Sequence, residues 1–317
     1  NLTYKINFPT TTLKLINLFN YLKILIQIKK LVQNNSSDIY YLHTPLASHL
    51  FRFFNYFNKI KIIYFVHGFR FTSKSNKWKN FFFKTIEKIL SYKTNIFITI
   101  NNEDFNYAKY NLTSNAKCYK INGVGLKVLS SYSKNKIRNK KEIKKILVIA
   151  AYKKNKGYLE ILKLAEMLLG HNIKIECYGY GSFYKFNSIK IKKKLSNISF
   201  NKFDINLKNR IKNFDLLLHL SKREGLPVAV MQSLSEGLPV ICYNIRGNND
   251  LIKENFNGYF VNSYKEVPTK IHFLNSENIL FNNMRLNAFN SINNSFSKQR
   301  INSKIYKIIK NYLKQCQ

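Results

Sequence analysis

The chain has 317 residues, 45% of them apolar, and a formal charge of +37 from 53 Lys and Arg against 16 Asp and Glu. At about 100–200 residues per domain, this length predicts two domains with cores of their own and excludes disorder as the main state. No run approaches the roughly 18–20 apolar residues of a spanning helix, because Lys or Asn interrupts each one.

The expected elements alternate along the chain. Strands are predicted over 38–43, 61–67, 95–100 and 117–121, with helices near 11–32, 45–57, 77–91 and 103–110. The stretch 127–144 is polar and basic, has no apolar period, and reads as a linker. A second series follows, with strands over 145–151, 173–178, 198–203, 215–220, 239–243 and 258–261. Helices are predicted near 156–169, 207–213 and 228–236, and the tail 281–313 reads as helical. Strands that alternate with helices imply βαβ units and parallel sheets, and their unbroken apolar runs imply cover on both faces. The last stretch, 301–313, repeats apolar positions at three and four with Lys between. Such a pattern suits a helix packed on its own protein better than one lying on a membrane.

The positive charge is shared about evenly between the two halves of the chain. Its main source is a composition rich in Lys, Asn, Ile, Phe and Tyr, as from an AT-rich coding sequence. Adhesion to acidic lipid headgroups is compatible with it. Nucleic-acid binding is not supported, since no zinc-finger spacing, RNP-like sequence or basic region with heptads occurs. The cysteines, Cys118, Cys177, Cys242 and Cys316, lack metal or disulfide spacing, which fits a reducing compartment. Residues 1–20 lack the pattern of a signal peptide, and a first residue other than Met suggests a fragment or a processed chain.

The stretch richest in chemistry is 221–261, SKREGLPVAVMQSLSEGLPVICYNIRGNNDLIKENFNGYFV. A strand ends in a polar turn holding Glu224 and Gly225, and a helix begins at Pro227, a favoured first-turn residue. The carboxyl ends of parallel strands are where open α/β sheets bind ligands, and a helix N-terminus suits phosphate. A carboxylate there suits sugar hydroxyls instead. Together they suggest a nucleotide sugar, although the same carboxylate could simply complement the helix dipole.

This segment resembles the donor-binding motif of glycosyltransferase family 4, the retaining GT-B enzymes: a Glu, seven residues and a second Glu within EGLP…EA…G.PV, then a Gly-rich turn and an NG.(L/F)V strand. Glu224 holds the first position and Gly225, Leu226 and Pro227 follow. Gln232 stands where the family has its second Glu. A Gln can hydrogen-bond a ribose but carries no charge. The stretch 149–157, IAAYKKNKG, resembles the basic loop that enters the second domain and offers Lys156, with Lys154 beside it, although Ala150 and Ala151 replace the usual Gly-Arg or Gly-Glu. The stretch 178–181, YGYG, resembles the next glycine turn of the donor site, with Gly179 and Tyr180. In the first half, YLHTP over 41–45 and VHGFRF over 66–71 resemble the HTP and HG loops of polysaccharide-assembly members.

The resemblance implies an α/β GT-B fold of two Rossmann-like domains whose parallel sheets face across a cleft. It divides the chain into an acceptor-side domain over 1–126, incomplete at its start, and a linker over 127–144. A nucleotide-sugar domain follows over 145–295, then a helix over 296–317 returning to the first domain. Family members begin with a further strand, glycine loop and helix, so Asn1 enters about 50–70 residues late. The implied reaction is retaining transfer of a sugar from a nucleotide diphosphate to a lipid-linked or growing glycan. Glu224 would hold the donor sugar, Lys156, Lys154 and the helix start at Val228 the diphosphate, Gln232 the ribose. His67 would assist at the reacting centre, with His43 and Arg70 on the acceptor side. The pattern requires no metal and no cofactor. It implies a cytoplasmic enzyme at the inner face of the membrane, with peripheral contact to anionic lipid. The alternatives are a truncated, inactive remnant, a GT-B nucleotide-sugar epimerase and a basic binding protein.

Overall fold

A computed structural model of the chain describes residues 26, 27, 30, 39–56, 60–113, 115–127, 142–292 and 294–315. The chain divides into two compact units, residues 1–121 and 122–317. The helix expected over 11–32 lies outside the described residues except at Ile26, Gln27 and Lys30, which are helical.

The described part of the first unit runs β1 (Tyr40–His43), α1 (Pro45–Phe54), β2 (Ile62–Val66), α2 (Lys77–Ser91), β3 (Ile96–Thr99), α3 (Asn102–Asn111) and β4 (Lys117–Lys120). The strands form one parallel sheet in the order β1-β2-β3-β4. Every residue of β2 and β3 is buried, as two covered faces demand. β1 and β4, at the two ends of this order, keep partly exposed residues. The expectation of unbroken burial fails there, where among the described residues each strand pairs on one side only. Asn76 starts α2 by accepting the N–H groups of Trp78 and Lys79, which satisfies two of the helix's orphan donors.

A buried polar tie fixes the helices of this unit. Arg52 of α1 and Glu87 of α2 are both fully buried, with Arg52 Nη2 2.8 Å from Glu87 Oε2. His49 Nε2 lies 2.6 Å from the other carboxylate oxygen, and the Arg52 guanidinium caps the Tyr64 ring at 4.7 Å. Burial alone raises the Glu87 carboxyl pKa, but Arg52 and His49 outweigh it and hold the group below its ordinary value.

The second unit runs β5 (Lys145–Ile149), α4 (Tyr158–Met167), β6 (Lys174–Gly179), α5 (Tyr184–Lys192), β7 (Ile198–Lys202), α6 (Leu207–Arg210), β8 (Leu216–His219), α7 (Val228–Ser235), β9 (Val240–Tyr243), β10 (Gly258–Val261), α8 (Val267–Ser276), α9 (Asn278–Ser291) and α10 (Lys298–Lys314). Its six strands are parallel in the order β10-β9-β8-β5-β6-β7. The chain winds outward through β6 and β7, returns to the middle, and winds the other way from β8. The order therefore reverses between β5 and β8, which pair directly. That is the topological switch point at which doubly wound sheets take ligands. Ile146, Val148, Ile175, Leu216, Leu218 and Ile241 join Ile161, Leu164, Phe281 and Met284 in one core.

Four local expectations change. Asn122 and Leu126 pack with the second unit: Asn122 Nδ2 donates to Ser295 Oγ at 3.0 Å, and Leu126 N to Phe296 O at 2.8 Å. Most of the expected linker lies outside the described residues, but Ile143 is buried in the second core and its N–H donates to Asn275 Oδ1 at 2.8 Å. The single tail helix is two helices, α9 and α10, separated by residues 292–297. Finally, α5 and α8 were not expected. α5 is built from Tyr, Lys, Phe and Asn with little apolar period, and its helix is recruited by burying Phe186. α8 carries a proline in its first turn, a start signal that was present in the sequence.

Candidate active site

Two clusters of functional side chains stand at strand ends, one in each unit. In the second unit, the carboxyl ends of β5 and β8 supply the two loops that flank the switch point. The loop after β5 closes in a short 3₁₀ turn, Lys154–Lys156, and Gly157 then takes a left-handed conformation, φ +79. A Cβ at Gly157 would lie 2.3 Å from the Leu220 carbonyl oxygen, so only glycine lets the two loops touch. Lys222 N donates to Asn155 O at 3.0 Å and closes the contact.

That contact places Lys156 beside Glu224. Lys156 Nζ is 2.5 Å from Glu224 Oε1, with the two side chains 19% and 14% exposed. His219, the last residue of β8, is 4% exposed, and its Nε2 lies 3.4 Å from the same carboxylate oxygen without forming a hydrogen bond to any described residue. Burial by itself raises the Glu224 carboxyl pKa. The close approach of the His219 ring, then the Lys156 ammonium, outweighs burial and brings it down to about 2. Glu224 is therefore a carboxylate throughout the physiological range. Behind it, buried Arg246 donates from Nε to the Glu224 carbonyl at 2.9 Å. Gly247, at φ +83, leaves room for the Gly225 carbonyl, which a Cβ would meet at 2.3 Å.

The helix α7 follows at once. Its N-cap, Pro227, offers no side-chain acceptor to the first turn, so the helix start is uncapped by its own N-cap residue. Leu226 and Pro227 are buried and Gly225 is half-buried. Gln232 sits half-buried about one turn along. Gly179 ends β6 where a Cβ would come within 1.9 Å of the Ala150 carbonyl oxygen. The close approach of the two strands is thus allowed by the glycine of β6, with Ala150 on the other side of it. Ala150 O accepts from the Tyr158 hydroxyl at 2.6 Å. Tyr180 is exposed and stacked on Phe203 at 3.9 Å. Lys154 is exposed and lies apart from the Glu224 contact.

In the first unit, β1 ends at His43 and β2 runs into His67. Parallel pairing sets His43 opposite Phe65, and His43 Nδ1 meets His67 Nε2 at 2.9 Å. One ring donates and the other accepts, so the pair shares a proton between them. Phe65 stacks on His43 at 5.1 Å, and Tyr41 meets it edge-on at 4.5 Å. Burial lowers the His43 pKa. Burial, followed by the charge of His43, lowers that of His67 to about 4. Both rings are neutral at pH 7. Arg70 is turned onto the Phe83 ring at 4.8 Å.

The structure thus joins Lys156 to Glu224 and His43 to His67. It also supplies two residues that the sequence reading passed over. His219 ends a strand just as His43 does. Arg246 had no signal beyond its glycine neighbour.

Comparison with known proteins agrees with this layout. The pattern described as "Glycosyl transferases group 1" matches residues 131–290, and "Glycosyl transferase 4-like" matches residues 4–101. The chain belongs to the glycosyl transferases group 1 family. It is 26% identical over 252 residues to EpsD of Bacillus subtilis (strain 168), covering 74% of this chain and 66% of that protein, just under two thirds of its length. It is 25% identical over 311 residues to the UDP-Gal:alpha-D-GlcNAc-diphosphoundecaprenol alpha-1,3-galactosyltransferase of Escherichia coli, covering 92% of this chain and 79% of that one. Among solved structures, Anabaena Alr3699/HepE in complex with UDP and glucose shares the fold. Its TM-score is 0.74 at 13% identity, covering 93% of this chain and 83% of that chain. The group 1 family chain is therefore an α/β protein with two parallel sheets of the GT-B kind.

Proposed function

We propose that this chain is a retaining hexosyltransferase that moves a sugar from a nucleotide diphosphate to a lipid-linked or growing glycan in cell-surface polysaccharide synthesis. It would act at the inner face of the cytoplasmic membrane. The observation that carries the reading is the Lys156–Glu224 contact at the switch point, beside the uncapped start of α7. An ammonium and a helix N-terminus stabilise a departing diphosphate, where negative charge builds as the sugar leaves. Glu224, held ionised, accepts hydrogen bonds from the sugar hydroxyls, and Arg246 and Gly247 fix the turn that carries it. The Lys156 ammonium is shared: without donor it neutralises Glu224, and with donor it bridges carboxylate and phosphate. Gln232 faces the ribose, and Gly179 and Tyr180 border the same pocket. In the first unit, the neutral His43–His67 pair can receive one proton from an acceptor hydroxyl and pass it between the rings.

Relatives support the substrate class. The Escherichia coli relative is named for a UDP-sugar donor and a diphosphoundecaprenol-linked acceptor, and the Anabaena protein is seen with UDP and glucose. The remnant reading rests on Gln232, which lacks the charge of the family's second Glu. One experiment separates the two. The protein is incubated with a panel of nucleotide sugars and a polyprenol-diphosphate-linked sugar, and the product's anomeric configuration is read by NMR. The transferase reading expects one donor to be consumed with its configuration kept. Turnover of none, in a protein shown to be folded, favours the remnant, and inversion removes the retaining assignment.

A further inference from the structure

The second helix of the first unit carries its apolar side outward. Trp78, Phe81, Phe82, Ile89 and Tyr92 are each between 52% and 84% exposed. At 100° per residue they fall on one face of α2, at spacings of three, four, seven and three. A soluble helix buries such a stripe, and contiguous exposed apolar surface of this kind marks an interaction site. The inward face is already committed: Leu90 and Ser91 are buried, and Glu87, the only acid of the helix, is buried against Arg52 and His49. That tie leaves the apolar face no freedom to turn in. Exposed lysines line the stripe, Lys77 and Lys88 on one side and Lys79 on the other, with no acid between them.

We infer that this face of α2 is the surface by which the protein rests on an anionic phospholipid bilayer. The aromatic rings enter the headgroup boundary and the lysines pair with lipid phosphates. Charge complementarity decides the occupant. Residues 1–38 carry five Lys against one Asp, and a second copy of the chain brings a charge of +37, so both would meet the lysine border with like charge. An anionic lipid surface meets it with the opposite sign. Amphipathic helices with aromatic residues on one face and lysines beside them lie in the interface plane. No helix among the described residues is long and apolar enough to cross a membrane. The inference names the face that serves the membrane contact proposed above. It rests on that reading for the acceptor only, since lipid binding is measured without donor or acceptor.

Trp78 is the only tryptophan of the chain and stands on this face, so its emission reports directly. The full chain is mixed with vesicles of phosphatidylglycerol and phosphatidylcholine, or of phosphatidylcholine alone. Emission should shift to shorter wavelength, and the protein should sediment, only with the anionic vesicles. Phe81→Ser with Phe82→Ser should weaken partitioning about tenfold or more, and Lys77→Glu with Lys88→Glu by about an order of magnitude. These positions are exposed, and circular dichroism checks that the variants stay folded. Four results would overturn the inference: no response to anionic vesicles, equal response to neutral ones, binding that neither double variant weakens, or Trp78 emission already shifted and shielded from acrylamide without lipid. The last would mean that the chain itself, or a second copy if emission follows protein concentration, covers the stripe. UDP binding measured on the same samples reports the second unit separately, so failure here leaves the transferase proposal standing.

Discussion

The two units solve the same topological problem with opposite electrostatics. Each is a parallel sheet whose carboxyl ends gather side chains of interest. At the ends of β5 and β8 the gathered groups are charged and paired, Lys156 with Glu224. At the ends of β1 and β2 they are two imidazoles in an aromatic bed, kept neutral by burial. A site that must hold a diphosphate profits from fixed charge. A site that must take a proton from a hydroxyl profits from a neutral base, since an imidazolium cannot accept one. On the proposed reading, the same sheet architecture serves two kinds of chemistry through the residues at its strand ends.

The comparison can be broken by substitution. The largest effect is expected from Lys156→Ala, which removes leaving-group stabilisation and strands the Glu224 carboxylate. Initial rates of nucleotide release should fall by about 10²–10³-fold, and urea denaturation should show a loss of about 1–3 kcal/mol. His67→Ala should lower the rate by about 10²-fold with nucleoside diphosphate affinity unchanged. A matched loss of affinity would mean that the imidazoles serve donor binding, and the contrast between the units would fail.

Acid titration sharpens the contrast. The unfolded His67 ring takes a proton near 6.5 and the folded ring only near 4, so its contribution to stability falls as pH drops through that window. Glu224 runs from an ordinary value of 4.5 down to about 2. Its contribution is complete above pH 4.5 and is lost only as pH falls from there towards 2. The first unit should therefore weaken earlier on acidification, as followed by NMR of each unit's resonances, and Glu224→Gln should flatten the lower window alone. The smallest effect is expected from Gln232→Glu, which puts a carboxylate where the proposed reading sets the ribose. It should tighten nucleoside diphosphate binding about two- to tenfold by calorimetry.

Much of this was legible beforehand. All ten described strands were expected within a few residues, because strands with two covered faces leave unbroken apolar runs such as IIYFV and LLLH. The turn of Glu224 and Gly225 and the loop of Lys156 were legible because a strand end, a glycine and a helix start leave a dense local pattern. Arg246 and His219 were not, since their roles depend on which loops the switch point brings together. The ion pair itself was also beyond sequence, its partners lying 68 positions apart. The outward face of α2 escaped for a related reason. A 3.6-residue period shows that a helix has an apolar side but not which way the protein turns it. That is settled by Glu87, whose buried tie to Arg52 fixes the rotation.

On the proposed reading, Lys156 and the start of α7 grip a diphosphate at the switch point of the second sheet. Isothermal titration of the full chain with UDP, and with the other nucleoside diphosphates in turn, tests it most directly. One of them should bind in a single site, and Lys156→Ala should weaken that binding at least about tenfold. Absence of heat with every nucleoside diphosphate, or an unchanged affinity in Lys156→Ala, would contradict it.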